Sequence, residues 1–432
     1  VNIVQITPGA GGMYCGNCFR DNAMVAALRR QGHTTLMIPL YLPMTLDEED
    51  QSKGTPTFFN GVNVYLEQKS AWYRHAPKWL HSLLASPKIL QWASGRAAKT
   101  KATEVVDIAI SMLKGEEGNQ ARELEELIGW LKPQAHPDII SLSNAMLIGL
   151  TRRMKQELHS SVVCMLQGED AFIDSMDEAG RKAMWQLLIE RGREVDLFIA
   201  PSRYFAERMA ARMQIPAEKL KVVHNGINLA GYPSVLPQLP PNTAPVLGFF
   251  ARMCPDKGLD TLVDAFISLK QRNRVPNLKL RIGGGCGPSD EPFVNKLKLK
   301  LQQTGFLIDV EFRPNVTREG KLAFFEGLSV FSVPALYGEA FGLYIIESLA
   351  AGVPVVQPKT ASFPELVEAT QGGVLCEPGS APALANALES VLTNEKRRRS
   401  LAEAGHQAVH TRYSVEAMSL QMAAAFAGLR RA

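Results

Sequence analysis

Two glutamates, Glu339 and Glu347, are separated by seven residues in the run Tyr337-Gly338-Glu339-Ala340-Phe341-Gly342-Leu343-Tyr344-Ile345-Ile346-Glu347. The run continues as Ser-Leu-Ala-Ala-Gly-Val-Pro-Val-Val. The pattern places Glu339 in a loop ahead of an apolar helix and Glu347 one turn inside it, on a stripe with Leu343, Ala350 and Ala351. A carboxylate on a face about to be buried costs several kcal/mol, about what a lost polar partner costs, unless polar groups meet it. The same turn supplies no cation, so a ligand rich in hydroxyls is the expected partner. The helix opens at Phe341-Gly342-Leu343, where free N–H groups and a glycine allow an anion to approach the backbone. Two hydroxyl-binding carboxylates beside a phosphate-binding helix start is the chemistry of a nucleotide-sugar. The bland alternative is a solvated glutamate on an ordinary amphipathic helix.

Two bases add to this. Arg252 and Lys257 lie in Ala251-Arg252-Met253-Cys254-Pro255-Asp256-Lys257-Gly258-Leu259, just after a strand pattern, at the edge where α/β sheets bind ligands. A guanidinium fork and a mobile ammonium could clamp a diphosphate and stabilise its departure; alone, they could equally be solvated loop bases. Gly283-Gly284-Gly285-Cys286-Gly287 follows the next strand and permits close approach of a ligand, or is merely a tight loop. Pro8 to Gly16 is also glycine-rich, but its spacing is not that of a dinucleotide loop, and no acidic residue closes the next strand to hold a ribose. Cys15-Gly16-Asn17-Cys18 is a lone C-x-x-C: packing, redox and metal roles are open, and zinc would need two further ligands. No Asp-x-Asp pair is present to hold a divalent cation on a diphosphate.

These residues need a frame. Strand and helix signals alternate at both ends of the chain. Strands are expected at Val1–Thr7, Thr34–Leu40, Asp138–Ser141, Ser161–Leu166, Val195–Ala200 and Lys221–His224, with a helix over Asn17–Gln31. Five prolines between Leu229 and Pro245 read as a linker, after which the pattern restarts. Strands are expected again at Val246–Phe250, Leu278–Gly283, Leu328–Val333 and Val353–Val356, and helices at Gly258–Gln271, Ala381–Thr393 and Ser414–Leu429. The expectation is α/β, with a first domain over residues 1–232, a second over 245–412, and a closing helix over 413–432 that packs back toward the first. Residues 46–137 break the alternation and read as a mostly helical insertion. Within them, Lys69–Lys101 carries seven Lys or Arg, no Asp or Glu, and three of the five tryptophans, Trp72, Trp79 and Trp92. That span fits either contact with an anionic membrane surface or acceptor, or a helical cap with buried tryptophans.

At 432 residues the chain is long for one core, and 46% apolar content suffices for two. A net charge of +4 does not argue for nucleic acid. There is no stretch of eighteen apolar residues, no signal-peptide pattern at the start, and six cysteines in this length are no disulfide framework. The reading is cytoplasmic, with peripheral membrane contact through the basic span as an open option.

Taken in order, the glycine loop at Gly11-Gly12, Asn225-Gly226-Ile227-Asn228, the run from Arg252 to Gly258, Glu339 to Glu347 and Ala351-Gly352-Val353-Pro354-Val355-Val356 resemble the retaining glycosyltransferases of family 4. The likeness covers nearly the whole chain outside about 46–137. It implies the GT-B fold, two Rossmann-like domains facing across a cleft; no cofactor is expected, and no metal, given the missing Asp-x-Asp pair and the two cationic side chains. Residue by residue, it implies that Arg252, Lys257 and Glu339 carry the catalytic work, the bases on the diphosphate and Glu339 on the sugar. It further implies donor contacts at Gly11, Gly12, Phe341, Gly342, Leu343 and Glu347, the last on the ribose. Gly284, Asn315 and Gln167 are expected donor contacts too, and Asn144 an acceptor contact. Where many relatives carry histidine, this chain has Gln167 and the run Ser141-Leu142-Ser143-Asn144; Gln167 can bond a hydroxyl but carries no proton. Relatives also often have a glycine pair where Ala361-Ser362-Phe363 stands here. The expected activity is transfer of a sugar from a nucleoside-diphosphate sugar to an unidentified saccharide, lipid or small-molecule acceptor, with retention. An epimerase of similar fold and an inactive sugar-nucleotide binder are the other readings.

Overall fold

A computed structural model describes residues 1–9, 16–42, 44, 46, 48–59, 102–238 and 243–429. Gly11, Gly12, Cys15 and the basic span Lys69–Lys101 with its tryptophans lie outside the described residues.

The chain divides into two units, Val1–Val223 with Ser419–Ala432, and His224–Met418. The first is built on β1 (Asn2–Thr7), β2 (Thr34–Pro39), β3 (Ile139–Leu142), β4 (Ser161–Met165), β5 (Leu197–Ala200) and β6 (Leu220–Val222). These strands are short apolar runs, buried on both faces at β1, β3, β4 and β5, as parallel strands covered by helices must be. They pair in the order β2-β1-β3-β4-β5-β6, all parallel. The connecting helices are α1 (Gly16–Arg30), α2 (Ala102–Lys114), α3 (Ala121–Gln134), α4 (Thr151–Leu158), α5 (Glu169–Asp174), α6 (Glu178–Gly192) and α7 (Arg203–Met213). The described end of the expected insertion, α2 and α3, is helical.

The second unit carries β7 (Val246–Phe250), α8 (Leu259–Arg272), β8 (Lys279–Gly284), α9 (Glu291–Gln303), β9 (Val310–Pro314), α10 (Arg318–Phe325) and β10 (Val330–Phe331). Then follow α11 (Leu343–Ala350), β11 (Val355–Pro358), α12 (Phe363–Thr370), β12 (Gly373–Cys376), α13 (Ala381–Leu392) and α14 (Glu395–Arg412). The strands pair in parallel as β12-β11-β10-β7-β8-β9. Counted from β7, this is the doubly wound dinucleotide-fold order, whose direction reverses between β7 and β10. Its core joins Leu247, Phe249, Leu262, Phe266, Ile282, Phe331, Ile345 and Val356. The architecture is therefore two Rossmann-like domains, as the sequence implied.

The division differs from the expected boundary at 232. Residues 224–232 belong to the second unit because their polar groups are satisfied there. His224 Nε2 lies 2.8 Å from Glu365 Oε1, Ile227 bridges to Ser414, and Arg318 donates to the carbonyls of Asn228 and Ala230. The last helix, α15 (Val415–Ala427), crosses the other boundary. From Ser419 onward the chain belongs to the first unit, where Gln31 donates to Ser419 Oγ at 2.7 Å and Ser161 to the Leu429 carbonyl.

Candidate functional site

In the second unit the site residues gather where the strand order reverses. Arg252 and Lys257 follow β7, and Glu339 follows β10, its neighbour in the sheet. The two loops are locked together. Gly258 has φ 69°, and a Cβ there would sit 1.9 Å from the Pro334 carbonyl, so only glycine fits. Leu336 N–H donates to the Asp256 carbonyl at 3.0 Å. That contact carries Lys257 to the Glu339 loop.

Lys257 Nζ donates to Glu339 Oε2 at 2.6 Å, and also to the Tyr337 hydroxyl. Tyr337 and Tyr344 each donate to the same Glu339 Oε2 at 3.0 Å. The ammonium also lies over both rings, 4.8 Å from that of Tyr337 and 5.5 Å from that of Tyr344. Among the described residues, three donors thus meet on one oxygen. Among the described residues no donor meets Glu339 Oε1. Burial works against the charge on Lys257, but the Glu339 carboxylate outweighs it and holds the ammonium above its ordinary value. Burial, and then the same carboxylate, push both tyrosines up, so their hydroxyls stay donors.

Arg252 points its Nε and Nη2 at Asp290, with contacts of 3.2, 3.2 and 2.9 Å. Half of the fork expected to clamp a diphosphate is therefore engaged by a protein carboxylate. What remains is the Nη1 edge, on a side chain 60% exposed. Burial pushes the Asp290 carboxyl up, but bonds from Arg252 and the Gly287 N–H outweigh it and hold it below the usual aspartate value. Asp290 thereby aims Arg252 and braces the glycine loop.

Glu339 and Glu347 are linked by α11. Gly342 caps it in the left-handed region at φ 93°, and no side chain caps its first turn. Phe341, Gly342 and Leu343 thus form an open helix start, held by Ser362, whose hydroxyl donates to the Phe341 carbonyl at 2.9 Å. Glu347 is not left to a ligand alone. Lys321, from α10, donates to its Oε1 at 3.0 Å. The cation absent from the same turn comes instead from 26 residues earlier. The signal was present: Lys321 shares a buried face with Phe324 and Phe325.

Gly284 ends β8 at φ 112°, and a Cβ there would meet the Ala251 carbonyl at 2.0 Å. Its place is fixed by close packing of the β7 and β8 ends. Asn315 accepts from Cys286 N–H at 2.9 Å and donates to its carbonyl at 2.8 Å, tying the β9 end to the glycine loop. Beside this tie is a cavity of about 280 Å³ lined by Met253, Val294, Lys298, Phe312, Pro314 and Asn315 among others.

In the first unit, Asn144 and Gln167 follow adjacent strands, β3 and β4. The Asn144 side chain accepts from Met146 N–H at 3.0 Å and caps a short 3-10 turn. Between them lies Glu169, which no sequence motif marks. It accepts from Ala145 N–H at 2.7 Å and Gln167 N–H at 2.8 Å. Burial raises the Glu169 carboxyl, and those backbone bonds offset part of the rise. Cys18 is buried. Among the described residues no group of three His, Cys, Asp or Glu could hold a metal ion, and no helix is long and apolar enough to cross a membrane.

Comparisons with known proteins bear on this geometry. The family model for glycosyl transferases group 1 matches residues 237–408, and that for Glycosyltransferase Family 4 matches residues 100–230. A phosphatidyl-myo-inositol mannosyltransferase of Mycobacterium leprae is 30% identical over 225 residues, 50% of this chain and 55% of that protein. A D-inositol 3-phosphate glycosyltransferase of Corynebacterium aurimucosum is 31% identical over 162 residues, 37% of each. The matches thus span about half or less of these relatives' lengths. Among solved structures, a sucrose-phosphate synthase of Thermosynechococcus elongatus is similar with a TM-score of 0.70 at 18% identity, covering 99% of this chain and 98% of that one. Anabaena HepE in complex with UDP gives 0.67 at 17%, covering 99% and 100%. At such identities the likeness is one of fold.

Proposed function

We propose that this chain, which belongs to glycosyltransferase family 4, moves a hexosyl group from a nucleoside-diphosphate sugar to a hydroxyl acceptor, retaining the anomeric configuration and needing no metal ion. The single observation that carries the reading is the Lys257–Glu339 pair at the reversal point of the second sheet. It leaves one carboxylate oxygen for a sugar hydroxyl and one ammonium proton for a phosphate.

The roles follow from the partners. Glu339 Oε1 accepts from a donor-sugar hydroxyl. Lys257, with two of its three donors on Glu339 and Tyr337, gives the third to the diphosphate, and Arg252 adds its Nη1 edge. The start of α11 receives a phosphate oxygen through its backbone, and Glu347 Oε2 accepts from the ribose. The cavity beside Asn315 suits a nucleobase, with Phe312, Pro314 and Val294 as its apolar walls. Charge grows on the diphosphate as the glycosidic bond breaks, so contacts from fixed cations strengthen toward the transition state. The acceptor hydroxyl attacks from the face that the phosphate leaves, and the leaving phosphate oxygen takes its proton. Gln167 and Asn144 are the polar groups assigned to sugar and acceptor in the first unit. An epimerase would require an acid–base pair there, and Glu169 is committed to two backbone N–H groups.

Two relatives are named for inositol-bearing acceptors, so inositol and its phosphate are the first acceptors to try. The reaction is assigned to the cytoplasm. The test is proton NMR of the product formed from an α-linked donor. An α-linked product supports the reading; a β-linked product, or epimerised donor without transfer, overturns it.

A further inference from the structure

Among the described residues, Lys321 is a strongly buried lysine partner at the proposed donor site that no sequence motif marks. It is 7% exposed and sits on the face of α10 that also buries Phe324 and Phe325. Its ammonium meets Glu347 Oε1 at 3.0 Å, and the two side chains are 9% and 14% exposed. A buried ion pair is seldom the best way to stabilise a core; apolar residues of similar size often do as well or better. What such a pair does well is fix a direction.

The direction matters here because the pair uses only one oxygen. Among the described residues no donor meets Glu347 Oε2. A free carboxylate turns about its last bond and offers either oxygen. With Oε1 held, Glu347 presents Oε2 in a fixed position. The same arrangement holds Glu339, whose Oε2 is taken by Lys257 and whose Oε1 is open. Each of the two carboxylates is therefore anchored through one oxygen by a lysine from another element.

We propose that Lys321 is a positioning residue that sets the preference of the donor site for ribose over sugars lacking the vicinal hydroxyls; this rests on reading Glu347 as the ribose ligand. Lys321 itself contacts no ligand. Its effect passes through Glu347 and so falls only on ligands that carry the hydroxyls.

Titration calorimetry of the full chain with ADP, GDP and UDP, and with their 2′,3′-dideoxy counterparts, tests this. The wild type is expected to bind at least one ribonucleotide more tightly than its dideoxy form. In Lys321→Met the ribonucleotide should weaken about tenfold, the size of one charge-assisted bond, while the dideoxy form is unchanged. Lys321→Arg should keep part of the preference. Lys321→Gln, shorter and able to hydrogen-bond, serves if the methionine variant does not fold. In the background of Glu347→Gln, replacing Lys321 should produce no further loss of preference. Equal weakening of both ligand forms, or an unchanged ratio in a folded variant, overturns the proposal and leaves the donor reading standing. Failure of the wild type to bind any of the ribonucleotides overturns the donor reading as well.

Discussion

Lys257 Nζ and Glu339 Oε2 lie 2.6 Å apart, although 82 residues separate them in the chain. The pair joins the loop after β7 to the loop after β10, and two tyrosine hydroxyls close around the same oxygen. The two roles proposed above, a cation on phosphate and a carboxylate on sugar, would thus fall to a single hydrogen-bonded unit. Moving one member should disturb the others.

Tyr344→Phe removes one of the three groups that donate to Glu339 Oε2. Tyr344 packs against Phe331 and Phe363, and phenylalanine keeps that packing. The expected outcome is a loss of ~1.5 kcal/mol in transition-state stabilisation, roughly tenfold in kcat/KM, by the usual worth of a bond to a charged group. The melting temperature should change by only a few degrees, which is the measurement that separates positioning from folding. Unchanged kcat/KM with a lowered melting temperature would leave Tyr344 as packing.

Lys257→Ala and Arg252→Ala should both lower kcat more than they raise the donor KM, since charge builds on the diphosphate as the bond breaks. They should differ in stability. Lys257 and Glu339 are 18% and 16% exposed, so the alanine leaves a largely buried carboxylate short of its cation and costs up to ~3 kcal/mol. Arg252 is 60% exposed, and its loss should be near neutral for the fold. Urea unfolding of both variants checks the ordering.

Much of the frame was legible in the sequence. Val246–Phe250 is found at the expected bounds because a pure apolar run between proline and a polar loop has one reading. The strand expected over Leu328–Val333 is regular only at Val330–Phe331, though Ser329 and Ser332 also donate to the Val246 and Gly248 carbonyls. β9 was missed because Val310–Pro314 is an edge strand with Glu311 and Arg313 paired on its exposed side, which hides the apolar signal. β12 was missed because Gly372-Gly373 reads as a turn. The motif residues themselves were visible; their distant partners were not. Asp290 meets Arg252 and Lys321 meets Glu347 across the fold, and sequence spacing carries no information on which distant side chain a loop will meet.

Asp290→Asn should weaken the aim of Arg252 and, like its loss, lower kcat more than it raises the donor KM. Its stability effect has a defined pH dependence. The folded carboxyl titrates below its usual 3.8, so its contribution is complete above that value and fades as the pH falls through the lower, folded value. The difference between wild type and variant, about 1 kcal/mol given the exposed guanidinium, should therefore be constant from pH 5 to 8 and shrink below 3.8. Thermal melts across that range decide it; a difference that grows on acidification contradicts the assignment.

Transfer should survive EDTA. Arg252 and Lys257 are the cations proposed to meet the charge of the diphosphate, and the chain has no Asp-x-Asp pair. Activity lost to the chelator and restored by manganese or magnesium would remove the two bases from that role.

The loops after β7 and β10 and the start of α11 are proposed to form a nucleoside-diphosphate-sugar site. Its most direct test is a thermal-shift series on the full chain with nucleoside diphosphates and their hexose conjugates, repeated on Lys257→Ala and Glu347→Ala. At 100 times its dissociation constant a true ligand should stabilise the wild type by about 2.7 kcal/mol. Such a shift is expected for one base series, and its loss in both variants at the same concentration. No shift with any nucleotide-sugar in the folded wild type, or a shift that both variants keep in full, would contradict it.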